Sequence, residues 1–283
     1  MGVAQIATSS SVSRKPARVV RKKPAAARLA PAVELLVEVW RRARTVREIP
    51  AACRPRDLDE AYKLQARVAA KLGLTRAGWK IGCTSEAARK IMKSDGPFAG
   101  RVFLSRCFVS GTTLDAAKYA LRGIEGEFAF VLGRDLKPRK TPYTRAEVLE
   151  AIDDLYPAIE VVDSRYDDFR KVTLPELVAD MGCNGALIVG APVKNWRKLD
   201  LAKAKVAMRV GRKIVGKGTG SAVMDEDPVA ALLWLANNPC APEGLKAGEI
   251  VTTGTCTGLH IAAAGDKIVA GFDGIGEVTL SFV

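Results

Sequence analysis

The run Gly123-Ile124-Glu125-Gly126-Glu127-Phe128-Ala129-Phe130-Val131-Leu132 constrains this chain more than any other. It alternates as a β-strand does: Ile124, Phe128, Phe130 and Leu132 fall on one face, Glu125 and Glu127 on the other. Residues two apart on a strand point the same way, roughly 6.5 Å apart along it. Two carboxylates therefore share one side of an otherwise apolar strand. If that side is solvated, they are ordinary surface acids. If it is covered, their repulsion and desolvation demand a cation or a shared proton. Ala129 and Val131 continue the acidic face as apolar residues, which keeps the covered alternative level with the solvated one.

The chain is long enough to bury a full core. Its 283 residues, 48% hydrophobic and 27% charged, suit one large domain or two modest ones. No apolar run reaches the length of a membrane span, so no membrane partner is expected. The cysteines at 53, 83, 107, 183, 240 and 256 make no CxxC pair, and the chain is not Cys-dense. They read as reduced, structural thiols of a cytoplasmic protein. His260 is the only histidine, which argues against a multi-His zinc site within one chain and leaves a Ser-His-Asp hydrolase a single candidate base.

The net charge of +13 is unevenly spread. Residues 1–30 hold Arg14, Lys15, Arg18, Arg21, Lys22, Lys23 and Arg28, no acid and no aromatic, among many Ser, Ala and Pro. This composition predicts a basic, disordered tail. A solvated extension is the first reading; a weak electrostatic tether or a transit-like leader are the alternatives. The body lacks a nucleic-acid motif and basic-aromatic interleaving, so specific nucleic-acid binding is not expected.

Beyond the tail, Val33 to Ala43 reads as a helix with Leu36, Val39 and Trp40 on one face. Asp57 caps a second helix to Leu72, which Gly73 ends. A short strand-like segment, Ala77 to Ser85, carries Lys80 opposite Trp79 and Ile81; a helix from Ser85 to Met92, a loop to about Gly100 and a strand at Val102 to Leu104 follow. Thr144 and Glu147 form a capping box for a helix reaching Ile152 and Leu155. Leu155 to Asp163 reads as a strand with Pro157 near its start. A helix starts at Thr173, Gly185 to Gly190 is a buried strand, and Gly211 turns a hairpin between 205–210 and 212–215. Gly216 to Ser221 fits neither phosphate-loop pattern. Asp227-Pro228 opens a helix to Ala236, and strands are expected at 249–253, 267–272 and 276–282. Strands dominate the second half without a regular βαβ rhythm.

Within the strand ending at Asp163, Glu160 is an acid flanked by aliphatics, a costly place for an unpaired charge. With Glu125 and Glu127 it makes three carboxylates in apolar strand context. Three such oxygens, with positions left for water or substrate, suit an octahedral hard cation such as Mg²⁺ or Mn²⁺.

The motifs Gly78-Trp79-Lys80-Ile81-Gly82, Gly123-Ile124-Glu125-Gly126-Glu127 and Pro157-Ala158-Ile159-Glu160 resemble those of the 2-keto-4-pentenoate hydratases. These form a branch of the fumarylacetoacetate hydrolase superfamily that also holds 4-oxalocrotonate decarboxylases. The likeness runs over about residues 32–283 and includes Gly218-Thr219-Gly220, Asp227-Pro228, Trp234 to Asn237 and Thr253-Gly254-Thr255. It implies an α+β fold with a mixed β-roll core and peripheral helices, and a homo-oligomer. Composition and periodicity divide the chain into the tail (1–30), a helical subregion (31–76) and a core (77–283), which the resemblance makes the catalytic part. The resemblance implies a divalent cation held by Glu125, Glu127 and Glu160, with Lys80 beside the substrate, a small 2-hydroxy-dienoate or 2-oxo acid. Thr255, with Gly254 and nearby backbone N–H groups, is the candidate for the substrate carboxylate; a turn hydroxyl bonded to its own backbone is the equal alternative.

The chain departs from the pattern in places. Relatives commonly carry a Pro-Asp-Phe-Gly-like run whose Asp aids acid-base chemistry; here the run is Gly96-Pro97-Phe98-Ala99-Gly100, and the nearest acid is Asp95, slightly out of register. Met224 to Pro228 is more acidic than expected, and His260 has no family role. Hydration of a dienoate is the first expectation. A decarboxylase or C–C hydrolase on the same core, or a catalytically silent binding scaffold, are the alternatives.

Overall fold

The computed structural model describes residues 24–283; most of the basic tail therefore lies outside the described residues. The helices are α1 (Ala25–Arg42), α2 (Leu58–Leu72), α3 (Glu86–Met92), α4 (Arg145–Ala151), α5 (Leu174–Ala179) and α6 (Pro228–Asn237). The first strands are β1 (Arg76–Gly82), β2 (Phe98–Phe103), β3 (Cys107–Val109), β4 (Thr112–Leu114), β5 (Gly123–Leu132), β6 (Ile152–Val162) and β7 (Asn184–Val189). They are followed by β8 (Lys205–Val210), β9 (Lys213–Thr219), β10 (Ile250–Thr255), β11 (His260–Ile261), β12 (Lys267–Phe272) and β13 (Gly276–Phe282).

Two sheets share one core. The larger runs β2-β1-β10-β5-β6-β7-β3, with β11 also paired to β5; the smaller runs β4-β13-β12-β8-β9. Phe128, Phe130 and Ile159 of the larger sheet pack with Met208, Phe272 and Leu280 of the smaller. The rings of Phe128 and Phe272 meet edge-on at 5.3 Å. This is the expected α+β architecture of a mixed, curled β core with peripheral helices. Because side chains alternate, the apolar row of β5 fills this core while its acidic row faces away from it.

The far side of the larger sheet is covered by the N-terminal helices. Leu29, Val33 and Leu36 of α1 and Leu64 and Val68 of α2 join Phe103, Ala179 and Met181 in a second core. Asp57 accepts from Glu60 N and Gly73 closes α2 with φ +67°, as its sequence predicts. Gln65 is fully buried yet satisfied: it donates to Val178 O and Ala99 O and accepts from Arg101.

Three boundaries differ from expectation. Helix α1 starts at Ala25 and carries Pro31 inside it, because burial of Leu29, Ala32 and Val33 outweighs the hydrogen bond that Pro31 cannot donate. Helix α4 stops at Ala151, and Ile152 already pairs with Leu132, so pairing with β5 takes residues that periodicity gives to the helix. Pro157 lies mid-strand. Its C=O accepts from Gly190 N, so its N faces the same side, beyond Val189 where β7 stops pairing. A fourth difference matters for function: residues 98–100, expected as loop, belong to β2, where Phe98 pairs with Gly82.

Gly100 marks the closest approach in this region. A Cβ there would lie 1.8 Å from Met181 O, a backbone atom that has no freedom to yield. Gly100→Ala is therefore expected to cost about 2–3 kcal/mol in urea denaturation. Gly96→Ala, four residues away with nothing within 4 Å of its Cβ, is expected to change stability by less than about 0.5 kcal/mol.

Candidate active site

The pairing of β5 with β6 sets the site. Glu125 stands opposite Glu160, and Glu127 follows two residues on along the same face. Lys80 reaches that face from β1, two strands away, through the register Lys80–Thr252–Ala129. One carboxylate oxygen from each of Glu125, Glu127 and Glu160 lies within 4.8 Å of the others. Glu127, Glu160 and Lys80 are buried, and Glu125 is half-buried. The solvated-face alternative is thereby excluded.

Each carboxylate has its own support. β10 carries one extra residue where Thr252 faces Ala129 and Thr255 faces Glu127. This bulge puts Gly254 at φ +99° and turns its N–H onto Glu127 Oε2 at 2.8 Å, in place of a ladder bond. Gly254 also has no room for a side chain, since a Cβ would meet Thr84 Oγ1 at 2.0 Å. Glu160 Oε1 accepts from Asn184 Nδ2 at 2.9 Å. Glu160 Oε2 is 3.5 Å from Lys80 Nζ but has no hydrogen bond, and Asn184 Oδ1 is equally unpartnered.

Charge follows from this crowding. Burial, then repulsion from Glu160, lifts Glu125 to about 7 against the pull of Lys80. Glu127 is raised well above its ordinary value by burial, Glu160 and Glu125. Burial alone would lower Lys80, but the charges of Glu160, Glu125 and Glu127 outweigh it and keep the ammonium protonated. One cation faces three carboxylates. The donor set of three hard oxygens, with a buried orphan oxygen among them, fits a divalent cation such as Mg²⁺ or Mn²⁺.

The cluster opens into a cavity of about 260 Å³ lined by Lys80, Glu125, Glu127, Thr84, Gly254 and Thr255, together with apolar side chains. Its back is a left-handed turn: Met181, Gly182 and Cys183 all have positive φ. Gly182 brings this turn against Phe98 and Lys80, where a Cβ would lie 2.9 Å and 3.3 Å from their side-chain carbons. Phe98 itself lies with its ring centroid 5.6 Å from Lys80 Nζ.

The structure thus brings Lys80, Glu125, Glu127, Glu160, Gly254 and Thr255 together. The Gly254 N–H is committed to Glu127, and Thr255 Oγ1 donates to Gly258 O and accepts from Thr257 N, the turn-internal bonding foreseen as its alternative. Asp95 is exposed in the turn between α3 and β2 and does not line the cavity. His260 pairs with Ile124 in β11 and does not line it either. Asn184, Gly182 and Thr84 were not singled out from sequence. The only trace of the first two is the Gly-Cys-Asn run that leads into β7 at Asn184.

Residues 106–283 match the family model of the fumarylacetoacetate hydrolase C-terminal domain. The chain belongs to the fumarylacetoacetate hydrolase superfamily. It is 31% identical to a 2-keto-4-pentenoate hydratase of Dechloromonas aromatica over 80% of this chain and 86% of that one. It is 32% identical to a 2-hydroxyhexa-2,4-dienoate hydratase of Comamonas testosteroni over 87% and 94%. Among solved structures it is similar to a 4-oxalocrotonate decarboxylase of Pseudomonas putida G7 complexed with magnesium and adipate. That match has a TM-score of 0.84 at 26% identity, covering 93% of this chain and all of that one. Among the described residues of this superfamily member, no helix is long and apolar enough to cross a membrane.

The second layer gives a direct test. Asn184→Ala removes the donor that orients Glu160, and Mn²⁺ affinity measured by calorimetry is expected to fall about tenfold or more. In the wild type, Mg²⁺ affinity is expected to drop as pH falls below about 7, because Glu125 must lose its proton to bind the ion. A pH-independent affinity between pH 6 and 8 would contradict this.

Proposed function

We propose that this protein hydrates a small 2-hydroxy-2,4-dienoate to a 4-hydroxy-2-oxo acid, as a metal-dependent hydro-lyase. The observation that carries the reading is the Glu125–Glu127–Glu160 cluster with Lys80, opening on a small-molecule cavity. The likeness to two dienoate hydratases at 31–32% identity supports the same reaction class. A Mg²⁺ or Mn²⁺ ion held by the three glutamates would supply Lewis-acid stabilisation of negative charge on the substrate's carboxylate and 2-oxygen.

The chain's own residues do the rest. Asn184 and Gly254 hold Glu160 and Glu127 in place through their N–H groups. Lys80, kept protonated by its neighbours, stands where it can stabilise enolate charge on the 2-oxygen and relay a proton. Protonation of the dienol at its far carbon gives an enone conjugated with the 2-oxo group. Water then adds at the carbon β to that carbonyl. Thr255 and the surrounding turn border the cavity and are the candidate contacts for the substrate carboxylate. Asp95 and His260, outside the cavity walls, take no step in this scheme. Decarboxylation of a 2-oxo diacid is the second reading, favoured by the structural match to a decarboxylase. The superfamily likeness also extends the reading to a homo-oligomer.

Assay with 2-hydroxypenta-2,4-dienoate tests the scheme, with the product identified because tautomerisation also removes the dienol absorbance. Formation of a 4-hydroxy-2-oxo acid that requires Mg²⁺ or Mn²⁺ is expected. Glu125→Ala and Lys80→Ala are each expected to lose at least about 100-fold in kcat. Bound metal with no hydrated product would sink the assignment.

A further inference from the structure

A second cavity, of about 620 Å³, is lined by the start of α1, by α2 and by the loop 239–242. It shares no lining residue with the active-site cavity. Leu29, Ala66, Pro239, Ala241 and Pro242 give it apolar walls. Arg101 of β2 lines it too, although that residue is only 8% exposed. Arg101 Nη1 donates to Gln65 Oε1 at 3.1 Å, and the guanidinium carbon lies 5.0 Å from the centroid of the Trp79 ring. Among the described residues, its Nε and Nη2 donate to no protein acceptor, and no acid forms an ion pair with it.

The acids within reach of Arg101 are engaged elsewhere. Glu243 and Glu249 both accept from Arg76. Burial, then the charge of Arg76, lowers Arg101 from its ordinary value, and the two acids do not make up the difference. The rest of the lining has the same sign. Lys63 and Arg67 add two positive charges against the single acid Asp59. Burial pushes the Cys240 thiol up to about 11, so it stays neutral and offers no counter-charge. Helix α1 begins here as well: Ala25 and Ala26 line the cavity, and no side chain caps their turn. Its unsatisfied N–H groups add to the positive field. The residues before Pro24 contain no Asp or Glu, so they bring no carboxylate side chain either.

We propose that this cavity is a second binding site, for a small organic anion that sets a carboxylate or phosphate on Arg101 and an apolar body against Leu29, Ala66 and the prolines. The unused Nε and Nη2 of Arg101 form one planar fork, which matches two oxygens of either head group. A bare inorganic ion would offset the charge and leave the apolar walls in water. An uncharged apolar molecule would cover the walls and strip solvent from Arg101 without replacing it. An organic anion answers both. The site is independent of the hydratase reading, since it lies outside the metal cluster and its cavity.

Calorimetric titration of the full chain tests this with benzoate and phenyl phosphate, which carry the two head groups on one ring. Acetate, inorganic phosphate and benzyl alcohol are the references that lack the ring or the charge. Each titration is run with and without Mg²⁺, because an acid held by a cation in the active site needs the metal and this cavity does not. At least one ring-bearing anion is expected to bind about tenfold or more tighter than its ring-less head group and than benzyl alcohol, in both conditions. The better of the two identifies the head group. Arg101→Gln is expected to weaken that binding about tenfold or more. Lys63→Glu, at an exposed position, is expected to weaken it about threefold or more and decides the matter if Arg101→Gln does not fold. No binding of either ring-bearing anion at millimolar concentration, binding that requires Mg²⁺, references that bind equally well, or an affinity unmoved in either folded variant would overturn the proposal.

Discussion

Repulsion among three clustered carboxylates, two of them buried and one half-buried, is the constraint on which this structure turns. Glu125 and Glu160 face one another across β5 and β6, and Glu127 follows on the same side. Such a group is costly to bury, and it persists because each member is held by something specific. Lys80 supplies one positive charge, Asn184 and the Gly254 N–H supply hydrogen bonds, and the unpartnered Glu160 Oε2 marks where a further positive partner belongs. Burial first, and then this repulsion, raises Glu125 and Glu127 above their ordinary values. A divalent cation among the three carboxylates would offset it.

Much of the scaffold exists to hold these groups at fixed spacing. The apolar row of β5 is locked into the core between the sheets, which leaves the acidic row no choice of direction. The bulge in β10 spends one residue to aim a backbone N–H at Glu127. On the opposite side, the left-handed Met181–Gly182–Cys183 turn presses against Phe98 and Lys80, a contact that the bare Cα atoms of Gly100 and Gly182 allow. Leu36 of α1, Leu64 and Val68 of α2 and Ala179 of α5 form one core with Met181 of this turn. The result is a cavity in which apolar side chains surround the carboxylates and Lys80.

The local signals were legible in the amino-acid order. Strict alternation placed Glu125 and Glu127 on one face, and the aliphatic flanks of Glu160 marked it as buried. Asp57 and Gly73 bounded α2, and the Thr144–Glu147 and Thr173–Glu176 caps started their helices as read. What escaped was set by tertiary contact. Pro31 looked like a helix boundary, yet burial carries α1 through it. Phe98 looked like loop because its strand character comes from pairing with β1. Asn184 gave no signal because its role depends on Glu160, twenty-four residues away in sequence. Val162, Phe169 and Leu177 meet Met92 in the cavity wall only through folding.

The most direct test of the central claim is a crystal structure of the protein soaked with Mn²⁺, read by anomalous scattering. A single strong peak bounded by Glu125, Glu127 and Glu160, with Lys80 Nζ beside it, is the predicted result. A fully occupied peak elsewhere in the chain, or no peak at millimolar Mn²⁺ and neutral pH, would contradict the account.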